Sequence, residues 1–225
     1  MAANSIEHPI VAAMYDPVTR VFEWRIRPAR QALAAGATGD VIDIGAGTGA
    51  MFPFLCAEPA VERIIAIEPD PHMRRRAASR ATECDCQITI RDDRAEHIDL
   101  PPDSVDTAVM SLVGCTILDV STALDEIARV LKGGGELRFL EHVRATGIRA
   151  GVQSMITPIW SRVAGGCRLD RETVTIIEQH PEFTITAVER AGGSVFPVAP
   201  ILCGTATVDG PQTPSVREEN GNYGG

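Results

Sequence analysis

The chain has 225 residues, 44% hydrophobic and 23% charged, the composition of a soluble globule of one domain with a substantial core. A formal net charge of -9 and a pI near 5.0 argue against a phosphate-backbone partner, so no nucleic acid is expected. No run approaches the ~20 apolar residues of a membrane span, and Glu7, His8 and Asp16 stand where a signal peptide has a basic start and an apolar core. A cytoplasmic protein is expected, with its six cysteines as thiols. Cys84 and Cys86 are the only close pair and lack the second half of a zinc pattern, so no metal is expected.

Residues 1–30 read as an N-terminal lid segment, 31–208 as the main domain, and 209–225 as a disordered tail of Pro, Gly, Asn and Glu. In the main domain, residues 41–44 form a β-branched run that reads as a buried strand, and 63–68 a second. Asp70 and Pro71 read as an N-cap and a proline at the first helical position, opening a helix through Ala81. Its arginines, Arg74 to Arg76 and Arg80, read as a solvated face. Residues 86–90 and 105–113 give the third and fourth strands. Leu124, Ile127, Ala128 and Leu131 fall on one helical face, and Gly133 to Gly135 stop that helix before a fifth strand at 136–140. Helical stretches around 152–163 and 171–179 follow. Two late runs, 183–188 and 201–208, lack a crossover helix between them and should pair antiparallel. The prediction is an α/β fold: a seven-stranded doubly wound sheet, mainly parallel with one antiparallel strand near the C-terminus, and helices on both faces. Its ligand should sit at the carboxyl ends of the strands, where strand order reverses.

The first strand runs into Val41-Ile-Asp-Ile-Gly-Ala-Gly-Thr-Gly49. Glycines on alternate positions let the backbone approach a flat, charged small molecule and adopt positive φ. A P-loop needs a lysine after its last glycine, and the only lysine is Lys132, so triphosphate hydrolysis is excluded. Gly45-x-Gly47-x-x-Ala50 with acidic Glu68 also fits a dinucleotide fingerprint, which leaves an NAD(P)-dependent oxidoreductase open. Asp43 pulls the other way. It is a poor neighbour for a pyrophosphate and a good one for the ammonium or sulfonium of a methionine moiety.

At these residues the chain resembles the class I S-adenosylmethionine-dependent methyltransferases, over about residues 8–208. The resemblance continues through Ala66-Ile-Glu-Pro-Asp70, Ala95-Glu96, Asp103-Ser-Val-Asp106, Glu126-Ile-Ala-Arg-Val-Leu131 and Gly133-Gly-Gly-Glu-Leu-Arg-Phe-Leu-Glu-His-Val143. It implies S-adenosylmethionine as cofactor and S-adenosylhomocysteine as product. Asp43, Gly45, Ala46, Gly47 and Gly49 would hold the methionine end, and Glu68 the ribose. Pro69 and Met73 would pack on the adenosine, Ala95 would offer backbone to the adenine edge, and Leu112 would line the site. Relatives often carry an acid just before the alanine matching Ala95; this chain has Arg94 there.

The later half is similar to a small-molecule subgroup related to alkyl-thiol methyltransferases and quinone-biosynthesis C-methyltransferases. Cys115, Glu141-His-Val143, Gln153, Pro158-x-Trp160 and Gly165-Gly-Cys-x-Leu-x-Arg171 carry that likeness. It implies methyl transfer to a small-molecule acceptor, with a thiol as the leading reading and C-, O- or N-methylation as alternatives. A non-catalytic cofactor-binding protein is the other alternative. His142, at the end of strand five, is the candidate base, since a histidine pKa of ~6.5 suits that role near neutrality. Tyr15 would close over the methionine end from the lid and touch the acceptor, and Cys115, Gln153, Trp160 and Cys167 would shape the acceptor pocket. Methyl transfer needs no enzyme nucleophile, so no catalytic thiol is expected.

Overall fold

The computed structural model describes residues 9–196 and 199–208, without the side chains of residues 10, 11, 13–23, 163, 192–196 and 199. The predicted tail and the first eight residues of the predicted lid lie outside the described residues, as does the Tyr15 side chain.

In chain order the elements are α1 (Pro9–Ala34), β1 (Gly39–Ile44), α2 (Phe52–Leu55), β2 (Val61–Ile67), α3 (Pro71–Ala81), β3 (Gln87–Arg91), β4 (Val105–Ser111) and α4 (Val120–Val130). They continue with β5 (Leu131–His142), α5 (Ile148–Val163), α6 (Thr173–Glu178), β6 (Phe183–Phe196) and β7 (Ala199–Val208). The seven strands form one sheet in the order β3-β2-β1-β4-β5-β7-β6. Strands β1 to β5 pair parallel, and β7 runs antiparallel between β5 and β6. This is the expected sheet, with its single reversed strand.

Alternation along the strands divides the core in two. Val41, Ile64, Ala66 and Val109 point to one face, beneath Ile26 and Leu33 of α1, Phe52 and Leu55 of α2 and Ala77 of α3. Ile42, Ile44, Ile65, Ile67, Ala108 and Met110 point to the other, beneath Leu124 and Ile127 of α4 and Ile177 of α6. The Asp70 cap takes its expected geometry: extended at ψ 116°, its carboxylate accepts from the N–H groups of His72 and Met73. Gly133 to Gly135 lie inside β5, and α4 already ends at Val130, where Leu131 turns extended.

Two features were not read from the sequence. Most of the segment read as a lid is helix α1, which packs on β5, β6 and β7. Its Ile26, Arg30, Leu33 and Ala34 are buried at i, i+4, i+7 and i+8, a stripe legible in the sequence but not used there. The six cysteines are also not all thiols: Cys56, capping α2, and Cys86, just before β3, form a disulfide with Cα atoms 5.5 Å apart. Thirty residues separate them in sequence, and the fold folds the end of α2 against the start of the edge strand. No helix among the described residues is long and apolar enough to cross a membrane.

Candidate active site

The sheet order reverses between β1 and β4, and the candidate residues gather at the carboxyl ends of these strands and their neighbours. Asp43 lies on the same face of β1 as Val41, turned towards α1, and is 1% exposed. Its Oδ2 has no hydrogen-bond partner. Burial pushes its carboxyl up to about 7; Arg30 of α1 pulls it back, and Glu68 pushes it further up. Arg30, itself buried, is the residue here that sequence reasoning missed.

After Asp43 the chain turns through Gly45 and Gly47 at φ +61° and +57°. A Cβ on Gly45 would lie 2.2 Å from Val113 Cγ2, so the turn is locked against the end of β4. A Cβ on Gly47 would meet only the Gly45 carbonyl, at 4.0 Å, so this position faces open space. Gly45→Ala is therefore expected to cost ~1–2 kcal/mol for left-handed backbone and about 1–3 kcal/mol more for the clash. A melting temperature within about 2 °C of the parent would contradict that packing.

Glu68, 8% exposed at the end of β2, ties the turn from the other side. Its Oε2 accepts from the Gly47 N–H at 2.9 Å and its Oε1 from the Asp70 N–H at 2.9 Å. Burial raises its pKa, and these two N–H bonds oppose the rise. A carboxylate has about four acceptor positions, so two stay available for hydroxyl donors. Pro69 is half-buried, while Met73 and Ala95 are buried. Glu96, next to Ala95, accepts from the N–H groups of Leu118 and Asp119. Asp93 is turned to Arg91 and to the Asp99 N–H, so it does not replace the acid that Arg94 displaces. Leu112 follows β4 at φ +58°, and its N–H bonds the Leu140 carbonyl at 2.7 Å. A branched side chain held there costs on the order of 1–3 kcal/mol, which is the mark of a constrained site. The orphan Oδ2 of Asp43 and the open space over Gly47 fit an aminoacyl nucleoside cofactor.

Across the switch point, β5 ends in Glu141 and His142. Glu141 is fully buried, and its Oε1 accepts from the N–H groups of Val113 at 3.0 Å and Gly114 at 2.9 Å. Its Oε2 has no partner, and burial pushes its pKa up to about 7 against those bonds. The Arg171 guanidinium donates to the carbonyls of Gly114, at 2.7 Å, and Ile117, fixing the same loop. Glu141 was legible as an acid beside the apolar run of strand five, and a buried acid must find donors.

His142 Nε2 lies 3.3 Å from Cys167 Sγ, and its Nδ1 is buried without a partner. Cys115, His142 and Cys167 bring their ligand-type atoms within 4.8 Å of one another. Bonding to Cys115 draws the Cys167 thiol down to about 5 against burial, and His142 and Trp160 add to the effect. Cys115 is pushed well up by Cys167 and by burial. Burial would lower the His142 pKa, but Cys167 and Glu141 raise it on balance. Gln153 stands apart from this group. Its Oε1 accepts from the Ala145 N–H and its Nε2 donates to the Val143 and Leu169 carbonyls, so it struts the chain after β5. Of the residues predicted for the acceptor side, the structure thus brings together Cys115, His142, Trp160 and Cys167.

Residues 42–139 match the family described as a methyltransferase domain. The thiol S-methyltransferase TMT1B of Homo sapiens is 31% identical over 182 residues, which cover 76% of this chain and 72% of that protein. The Rattus norvegicus TMT1B is 32% identical, and its match covers 62% of this chain and 58% of that protein. The ubiquinone/menaquinone biosynthesis C-methyltransferase UbiE of Syntrophotalea carbinolica is 28% identical, over 60% of each chain. A solved geranyl diphosphate C-methyltransferase from Streptomyces coelicolor A3(2), complexed with Mg2+, geranyl-S-thiolodiphosphate and S-adenosyl-L-homocysteine, superposes with a TM-score of 0.64 at 12% identity. That superposition covers 82% of this chain and 77% of the other, and shows a shared fold. Sequence and sheet topology agree, and the chain belongs to the class I S-adenosylmethionine-dependent methyltransferases.

Proposed function

We propose that the methyl group goes to the sulfur of a small, apolar thiol. The observation that carries this reading is the meeting of His142, Cys115, Cys167 and Trp160 at the ends of β4 and β5, one strand from the glycine turn. The likeness to TMT1B supports it.

In this reading Asp43 and the Gly45–Gly49 turn grip the methionine end, with Ala46 in the turn. Glu68 uses its two remaining acceptor positions on the ribose. Pro69 and Met73 flank the adenosine, Ala95 lends backbone to the adenine edge, and Leu112 lines the floor. Within the lid segment, residues 1–30, the part that precedes the buried Ile26 brings Tyr15 over the methionine end. S-adenosylmethionine supplies an electrophilic methyl on a sulfonium. The enzyme's work is then to align the acceptor behind that methyl, and alignment supplies most of the catalysis. His142 takes the acceptor's proton, and a thiol with a pKa of ~8.5 asks little of it. Trp160, Cys115 and Cys167 wall the acceptor, and Gln153 holds the chain that carries them.

Incubation with labelled S-adenosylmethionine and a panel of thiols, phenols and amines tests the proposal. Label in thioethers is expected, and label on phenols alone would sink the thiol reading. General bases contribute about 10²–10⁴-fold, and a thiol needs the lower end. His142→Ala should therefore cut kcat roughly a hundredfold and leave S-adenosylhomocysteine affinity unchanged. A loss of affinity in place of kcat would remove His142 from the acceptor side.

A further inference from the structure

Cys115, His142 and Cys167 come from the loop after β4, the end of β5 and the loop after α5, at least twenty-five residues apart in sequence. Their Sγ, Nε2 and Sγ atoms nevertheless converge, all within 4.8 Å of one another, with the Nε2 to Cys167 Sγ separation at 3.3 Å. In a tetrahedral zinc site the metal–sulfur and metal–nitrogen distances are about 2.3 and 2.0 Å, which sets ligand atoms roughly 3.5–3.8 Å apart. The cluster needs shifts of about an ångström or less to meet that spacing. Both free thiols are present, since the chain's one disulfide among the described residues joins Cys56 and Cys86. Cys115 and His142 are buried, whereas Cys167 is partly open, which gives a cation one way in.

We propose that Cys115, His142 and Cys167 form a binding site for a thiophilic divalent cation of the zinc class, with the fourth coordination position open to the acceptor sulfur. Two soft sulfur ligands and an imidazole select zinc over magnesium or calcium, which take oxygen ligands. Three protein ligands with one open position is the arrangement of a site that receives a substrate. The two thiolates cancel the cation's charge, so the loaded site is neutral in buried surroundings. A thiol that coordinated the cation would release its proton to solvent and stay as thiolate, so no bond to carbon would form or break at the metal. In the loaded form His142 is a ligand, and its role as base is not needed. The open position's role rests on the thiol reading above; the cation site does not.

The test uses the full chain, reduced and stripped with a chelator, then titrated with Zn2+ or Co2+ alone. One equivalent per chain is expected. The cobalt form should show a thiolate charge-transfer band in the near ultraviolet and tetrahedral d–d bands in the visible. Cys115→Ser and Cys167→Ser should each weaken binding at least about a hundredfold, whereas Cys84→Ser, outside the cluster, should not. Retained S-adenosylhomocysteine binding confirms that the variants fold. Should they fail to fold, X-ray absorption on the unaltered zinc form decides, with about two sulfur and one nitrogen neighbour expected. Substoichiometric uptake, uptake that survives both cluster substitutions, or an all-oxygen shell would overturn the site. Thioether formation by stripped enzyme would leave the thiol reading standing without the metal; stoichiometric uptake with no thiol methylated would leave the site and end that reading.

Discussion

Asp43→Asn is expected to weaken S-adenosylmethionine binding about a hundredfold and, at the same time, to raise the melting temperature of the cofactor-free protein. Both effects come from one buried carboxyl. Its Oδ2 is shielded from water and has no partner, and in the proposed reading the cofactor's ammonium supplies one. Removing one member of a buried charge pair costs ~2–5 kcal/mol, and a hundredfold change in Kd is about 2.7 kcal/mol. Without cofactor the sign reverses. The folded-state pKa of about 7 lies well above the ordinary aspartate value of 3.8. Between those values the folded protein keeps a proton that the unfolded chain releases. The group's stabilising contribution is therefore present below the unfolded value and lost as pH rises through the folded one. The resulting penalty at neutral pH is on the order of a few kcal/mol, and asparagine removes it. Calorimetric Kd values and thermal melts from about pH 6 to about pH 8 check both halves. The parent should bind more tightly as pH rises through that range, and the variant should not. An unchanged affinity would take Asp43 out of the cofactor site.

The second large effect is expected at Glu141→Ala. The Oε1 atom accepts two backbone N–H bonds, from Val113 and Gly114, across 28 and 27 residues of sequence. Alanine leaves both donors without that acceptor, in a loop packed so closely that a Cβ on Gly114 would lie 2.5 Å from Thr173 Cγ2. Each buried donor left unsatisfied costs ~1–3 kcal/mol. For a domain of this size 1 kcal/mol moves the melting temperature by about 2–4 °C, so a fall of roughly 5–15 °C is expected. Glu141→Gln keeps an oxygen in place and should recover most of it. Thermal melts of the two variants beside the parent decide the matter. An alanine variant that melts with the parent would show that the loop holds itself.

Wherever structure is set by neighbours in sequence, it could be read in advance. The glycine turn, the Asp70 cap, the α4 stripe and the pairing of the two late strands are all local patterns, and the sheet follows from their order. Helix α1 was as local, since Ile26, Leu33 and Ala34 recur at helical spacing, but its buried Arg30 interrupts the apolar stripe. That same arginine makes sense only once Asp43 is opposite it. The Cys56–Cys86 bond, the Glu141 clamp and the approach of Cys167 to His142 join segments 25 to 30 residues apart. Each residue was visible in the chain. Their contact is a product of the fold, and no periodicity encodes it.

The position of β7 bears on how the molecule comes into being. This strand is the last of the described elements to leave the ribosome, yet it lies inside the sheet, with Ile201 opposite His142 and Thr207 opposite Glu136. The β1–β4 half can assemble from contiguous chain while synthesis continues. Strand β5 cannot: until residues 199–208 arrive, its outer edge stands open from Glu136 to His142. An open edge of that length is a template for pairing with another chain. The glycine turn is thus framed early in biogenesis and the edge that carries His142 late, and a nascent or clipped polypeptide that stops short of β7 is an aggregation hazard.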